Sequence, residues 1–111
     1  MIRLFAVAAL ALALSAPVTA QDALGDKLAE SRLRGCLLAG ASGTGQTQLE
    51  AAVIQTRAYC GAQIGRVQAL RIAAATRGLS GNDAQAAKTR AIRDLNTEIA
   101  QAVANFTGLT P

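Results

Sequence analysis

The chain has 111 residues, eleven Lys/Arg against seven Asp/Glu for a net charge of +4, and neither histidine nor tryptophan. Without histidine no Ser/His or Cys/His nucleophilic pair can be assembled, and two cysteines alone do not make a usual zinc site. With aromatics at 3%, bases have little to stack on and the basic excess is mild for a nucleic-acid binder. Neither a nucleic-acid partner, nor a metal, nor another cofactor is expected.

Residues 1–20, MIRLFAVAALALALSAPVTA, place Arg3 ahead of an apolar run from Leu4 to Leu14, then Pro17 and the small-residue end Val18-Thr19-Ala20. A charged start, a short apolar run and such an end are the marks of a secretory signal peptide. The run is well short of the ~20 residues a bilayer span takes. Cleavage after Ala20 would leave one small domain, residues 21–111, in the periplasm or outside the cell. Leu33-Arg34-Gly35-Cys36 has the outline of a lipidation motif, but charged residues from Asp26 to Arg32 stand where such a motif needs an apolar run.

Alanine, leucine, glutamine and arginine, all good helix formers, dominate the rest, and few β-branched residues alternate with polar ones. An all-α fold follows. The first helical candidate covers residues 22–39, opened by Asp22 or Asp26. Its Leu24, Leu28, Leu33, Cys36 and Leu37 do not fall on one tight stripe, and Gly25 and Gly35 weaken it.

Gly40–Gln46, with glycines at 40, 43 and 45, reads as a loop. Gly40…Gly45-Gln46-Thr47 matches the phosphate-cradling pattern G-x-x-x-x-G-K-[ST] except at its lysine, where Gln46 stands. The chain is also too short for the βαβ sheet that holds such a loop, so no nucleotide is expected.

Thr47-Gln-Leu-Glu50 has the form of a capping box. The helix after it runs for about 30 residues with Val53, Thr56, Cys60, Gln63, Val67, Leu70 and Ala74 as its seam, flanked by Leu49 and Ile64. A second face carries Ile54, Ala58, Gly61, Gly65 and Ile72, where Gly61-x-x-x-Gly65 would admit another backbone closely. Gly78 is a C-terminal stop with Leu79 placed for a Schellman contact, and Arg77 favours the negative end of the dipole.

Ser80 and Asp83 then open a last helix, and the short connection makes it an antiparallel neighbour of the one before. Over residues 81–106, Ile92, Leu95, Ile99, Ala102, Val103 and Phe106 share one face. Arg90, Arg93, Asp94, Thr97, Glu98, Gln101 and Asn105 take the other, and Gly108 and Pro111 end the helix.

The expected architecture is a long antiparallel helical hairpin with a shorter N-terminal helix packed across it, or a hairpin that also buries its seam as a homodimer. Cys36 and Cys60 in an exported domain should form a disulfide. The bond closes a loop of about 25 residues, a gain of roughly 3–4 kcal/mol in the chain-entropy model. It requires the Gly40–Gln46 connection to run back alongside the second helix.

For function, these residues point to a non-catalytic binding or scaffolding role in the cell envelope. The candidate partner is an envelope protein or an anionic envelope component. The candidate contact is a basic pole of Arg66, Arg71, Arg77, Lys88, Arg90 and Arg93, opposed only by Asp83 and Asp94. The plainer account of these charges is a solvated face. The alternative class is a secreted effector or toxin, or a carboxylate-dependent hydrolase.

Overall fold

The computed structural model describes residues 23–111, so the export signal expected at 1–20 and Asp22 lie outside the described residues. Those residues form four helices and no strand: α1 over residues 23–42, α2 Leu49–Tyr59, α3 Gly61–Thr76 and α4 Gly81–Thr107. None of these helices is long and apolar enough to cross a membrane.

α2 and α3 make up one arm of the hairpin and α4 the other. Ala52 packs with Val103 towards one end, and Ala75 shares a groove with Ala87 and Ala91 towards the other, so the arms are antiparallel. α1 lies across the seam between them and runs lengthwise. Gly40 sits beside Thr56, Cys36 is bonded to Cys60, and Glu30 meets Arg71.

The core follows from three apolar stripes meeting. α4 contributes Leu95, Ile99 and Val103, one every four residues, which keeps them on one face. The opposing arm contributes Ala52, Thr56, Cys60, Ile64 and Val67, and α1 contributes Ala29, Leu33, Leu37 and Ala41. Each fully buried Leu, Ile or Val among them contributes about 1.5–3 kcal/mol. Ile64, expected at the flank of its seam, lies at the centre of it; Gln63 is half-buried and Ala74 is exposed.

Several local expectations are corrected. The arm read as one unbroken helix changes geometry at Cys60, whose φ of −101° and ψ of 17° leave the α-helical range. Hydrogen bonds from Cys60 N–H to Thr56 O and from Ile64 N–H to Cys60 O, both 2.9 Å, carry the ladder through the bend. Asp26 lies inside α1 and caps nothing. α2 starts at Leu49 with Gln48 as its N-cap and no side-chain cap bond, so Thr47 stands one residue too early for a capping box. Ser80 does occupy the N-cap of α4, with Asp83 in the first turn, but its side chain makes no cap bond. At Gly78 (φ +74°) the chain makes a type II turn, closed by Leu79 N–H to Thr76 O at 3.0 Å. Leu79 is exposed there, so no Schellman contact forms.

The glycines exchange roles. Gly40 belongs to α1, not to a loop: a Cβ on it would stand 3.0 Å from Tyr59 Cδ1 and 3.1 Å from Thr56 Cγ2. It is the close-approach point between α1 and α2. Gly61 and Gly65 face open space, so the approach expected at that pair is not made.

Extending α1 to residue 42 also explains how the cysteines meet. Cys36 lies about 9 Å back from the end of α1 and Cys60 about 17 Å along from Leu49, at 1.5 Å per residue. Residues 43–48 span the difference, and the two Cα atoms come to 5.9 Å.

Thr56 is fully buried and its hydroxyl has no hydrogen-bond partner. Orphaning such a group costs about 1–3 kcal/mol. Thr56→Val keeps the β-branched shape and removes the orphan, so it should stabilise the fold by about 1 kcal/mol. A higher thermal midpoint than wild type checks it; a lower one would mean that the hydroxyl is satisfied in solution.

Candidate functional site

Arg71, expected in the basic pole, is instead the hub of an ion cluster that joins three helices. Its Nε donates to Glu30 Oε1 and its Nη2 to Glu30 Oε2, both at 2.9 Å. Its Nη1 donates to Glu98 Oε2, and Nη2 reaches Glu98 Oε1 at 3.3 Å. Glu30 comes from α1, Arg71 from α3 and Glu98 from α4. All three line a groove of about 450 Å³ between α1 and α4, floored by Leu33, Leu95 and Ile99.

The hydrogen bond from Arg71 holds the Glu30 carboxyl below its ordinary value, against a smaller opposing push from burial. The same bonds raise Arg71 further above its ordinary range. A general acid needs the opposite shift in its carboxyl. The arrangement is a clamp between charges, and no group of three His, Cys, Asp or Glu side chains converges among the described residues.

Glu30 therefore contributes stability above its unfolded-state pKa and loses it as pH falls through its lower folded value. The side chains are 28–53% exposed, so solvent screening keeps the contribution near 1 kcal/mol. Arg71→Gln should cost about that much at neutral pH, because two carboxylates then face each other without a cation. The gap to wild type should close below about pH 4, where carboxylates protonate. A gap that is constant with pH in urea titrations would count against the clamp.

The other pole residues keep their exposure. Arg66 stands on α3, Arg77 is the C-cap of α3, and Lys88, Arg90 and Arg93 stand on α4. Arg90 and Arg93 share a shallow groove with Asn82, Gln85 and Thr89, while Arg90 also borders the groove that holds Arg71, Asp94 and Glu98. The structure thus brings Arg90 and Arg93 together and withdraws Arg71 from the set. Sequence reasoning missed Glu30 and Glu98, which lie 41 and 27 positions from Arg71. A separate, more apolar groove of about 660 Å³ opens where Leu49, Val53 and Ile54 meet Ala100 and Pro111.

No protein-family model matches this sequence, and neither the curated proteins nor the solved structures include one that is detectably similar to it.

Proposed function

We propose that the chain is an exported, non-catalytic binding or scaffolding protein of the cell envelope, working in the periplasm or outside the cell. The observation that carries this reading is the Cys36–Cys60 disulfide. Such bonds persist in oxidising compartments and are rare where thiols are kept reduced. The signal-like residues 1–20 support the same compartment.

The surface offered to a partner is the basic end of the hairpin. With Arg71 committed to Glu30 and Glu98, it reduces to Arg66, Arg77, Lys88, Arg90 and Arg93, exposed on α3 and α4. Such a surface attracts an anionic envelope component or an acidic envelope protein. The experiment combines fractionation with mass spectrometry of the native chain. A chain beginning at Gln21, two mass units short of its dithiol form and recovered outside the cytoplasm, is expected. A cytoplasmic chain with both thiols free would overturn the reading.

The partner is sought by cross-linking and pull-down from intact envelopes and by retention on isolated cell-wall sacculi. Retention should fall as salt screens the contact. It should also fall in an Arg77/Lys88/Arg90/Arg93→Gln variant, which leaves the Arg71 clamp intact.

The carboxylate-dependent hydrolase is the second reading, favoured by the convergence of Glu30 and Glu98 on one groove. Their shared bonding to Arg71 weighs against it, since it keeps both carboxylates occupied and Glu30 deprotonated.

A further inference from the structure

The side of α1 turned away from the bundle is itself patterned. Leu24, Leu28, Ser31, Gly35, Leu38 and Ser42 are all exposed, with Ser31 at the edge where the α1–α4 groove begins, and they recur at spacings of four, three, four, three and four. At ~100° per residue they fall within roughly 80° of arc, opposite the buried Ala29, Leu33 and Leu37. The leucines are 58%, 46% and 49% exposed at positions 24, 28 and 38. Only small, uncharged residues stand between and beyond them on this arc. A helix that contributes only to this core needs one leucine-bearing face, and α1 has two.

The charges of α1 are sorted around this second face. Lys27 and Arg34 flank it on one side and Arg32 on the other, each about 60–80° from its centre, with Arg34 also at the rim of the groove that Glu30 and Glu98 line. No carboxylate of the described residues forms an ion pair with any of the three. The acids, Asp26 and Glu30, fall on the bundle side, and Glu30 is held there by Arg71.

We propose that this ridge is a docking face for an anionic lipid bilayer, on which α1 lies in the plane of the headgroups. Leucines would enter the headgroup–acyl boundary while the flanking cations reach back to lipid phosphates, the arrangement of an interfacial amphipathic helix. Ser31 and Ser42 are small and uncharged, so they let the neighbouring leucines approach the boundary. Two features favour lipid over a protein partner. The face is a convex ridge, with nothing within 4 Å of a Cβ built on Gly35, and a fluid surface accommodates a ridge without needing a matching groove. Pairing with a second copy of α1, antiparallel about Leu33, would match Leu28 to Leu38. It would also set Arg32 beside its own counterpart and Lys27 towards Arg34, with no acid between them.

The ridge is separate from the basic end of α3 and α4, and the test keeps them apart. The chain has no tryptophan, so a single introduced one reports its own surroundings. The variants are Leu28→Trp and Leu38→Trp on the ridge and Ala73→Trp on the exposed side of α3. Each is checked by circular dichroism and for an intact disulfide. The probes are vesicles of phosphatidylcholine with a minority of phosphatidylglycerol, against pure phosphatidylcholine.

The two ridge reporters should shift to the blue and be quenched by brominated lipid in the anionic vesicles only, with Ala73→Trp silent. Adding Arg32→Gln and Arg34→Gln to Leu28→Trp should weaken partitioning about 30-fold, at ~1 kcal/mol per cation near the surface. Silent ridge reporters would overturn the proposal, including the case in which Ala73→Trp alone responds and the basic end is the contact. Equal shifts in neutral vesicles would overturn its electrostatic part and with it the choice of partner. A shift that follows protein concentration without lipid, together with a dimer by light scattering, would assign the ridge to self-association instead.

Discussion

Reducing the Cys36–Cys60 bridge is expected to lower the stability of the fold by about 3.5 kcal/mol, the entropy of opening a loop of about 25 residues in the denatured chain. The measurement is urea unfolding with and without dithiothreitol. The slope of free energy against urea should rise on reduction, because the uncrosslinked denatured state exposes more surface. Reduction is a cleaner probe than substitution here. Cys60 is fully buried and packs in the core, so Cys60→Ser would add the cost of burying a hydroxyl to the loss of the link. A loss under about 1 kcal/mol would mean that α1 and α2 stay paired in the denatured state, leaving the bridge little entropy to remove.

Leu95→Ala should cost about 3–4 kcal/mol, within the range for deleting a buried leucine side chain. Leu95 is 1% exposed and belongs to the cluster in which α1 meets both arms of the hairpin, with Leu33 and Leu37 from α1 and Ile64 and Val67 from α3. No single helix can shift to fill the space without uncovering another. The matched control is Leu38→Ala on the outer side of α1, where 49% exposure leaves no cavity to form; it should change stability by less than about 0.5 kcal/mol. In thermal scans Leu95→Ala should lower the midpoint by roughly 4–8 °C for each kcal/mol lost. Similar costs at the two positions would mean that the outer face is covered in solution.

The helical class, the disulfide and α4 are legible in the sequence because each rests on signals local to a segment or on simple counting. The stripe Leu95, Ile99, Val103 has one period and no interruption, and the helix limits expected at 81–106 are observed as Gly81–Thr107. Two cysteines allow one pairing. What is not legible depends on which neighbour a residue meets. Gly40 and Gly61 look alike in sequence, yet Gly40 faces Thr56 at the helix crossing and Gly61 faces open space, so composition alone inverts the loop and the close approach. Thr47 and Glu50 have the spacing of a capping box, but α2 begins after Gln48 and not after Thr47. The Arg71 clamp needs Glu30 and Glu98, which only the order of helices in space brings together. A chain of scattered charges shows none of this until the topology is known.

The tip of the hairpin, residues 68–94, holds no buried side chain, and the disulfide joins α1 only to the Cys60 bend between α2 and α3. α4 is therefore joined covalently to the rest only through the short turn at Gly78, and is otherwise held by its apolar stripe, by the Arg71–Glu98 contact and by the Arg57–Asn96 hydrogen bond. In effect the chain carries its fourth helix as a tethered ligand, kept at its site by the millimolar effective concentration that a short linker supplies. Cutting the backbone between Arg77 and Ser80 would turn the docking of α4 into a bimolecular association. The stability of the cut protein would then depend on how much of it is in the tube.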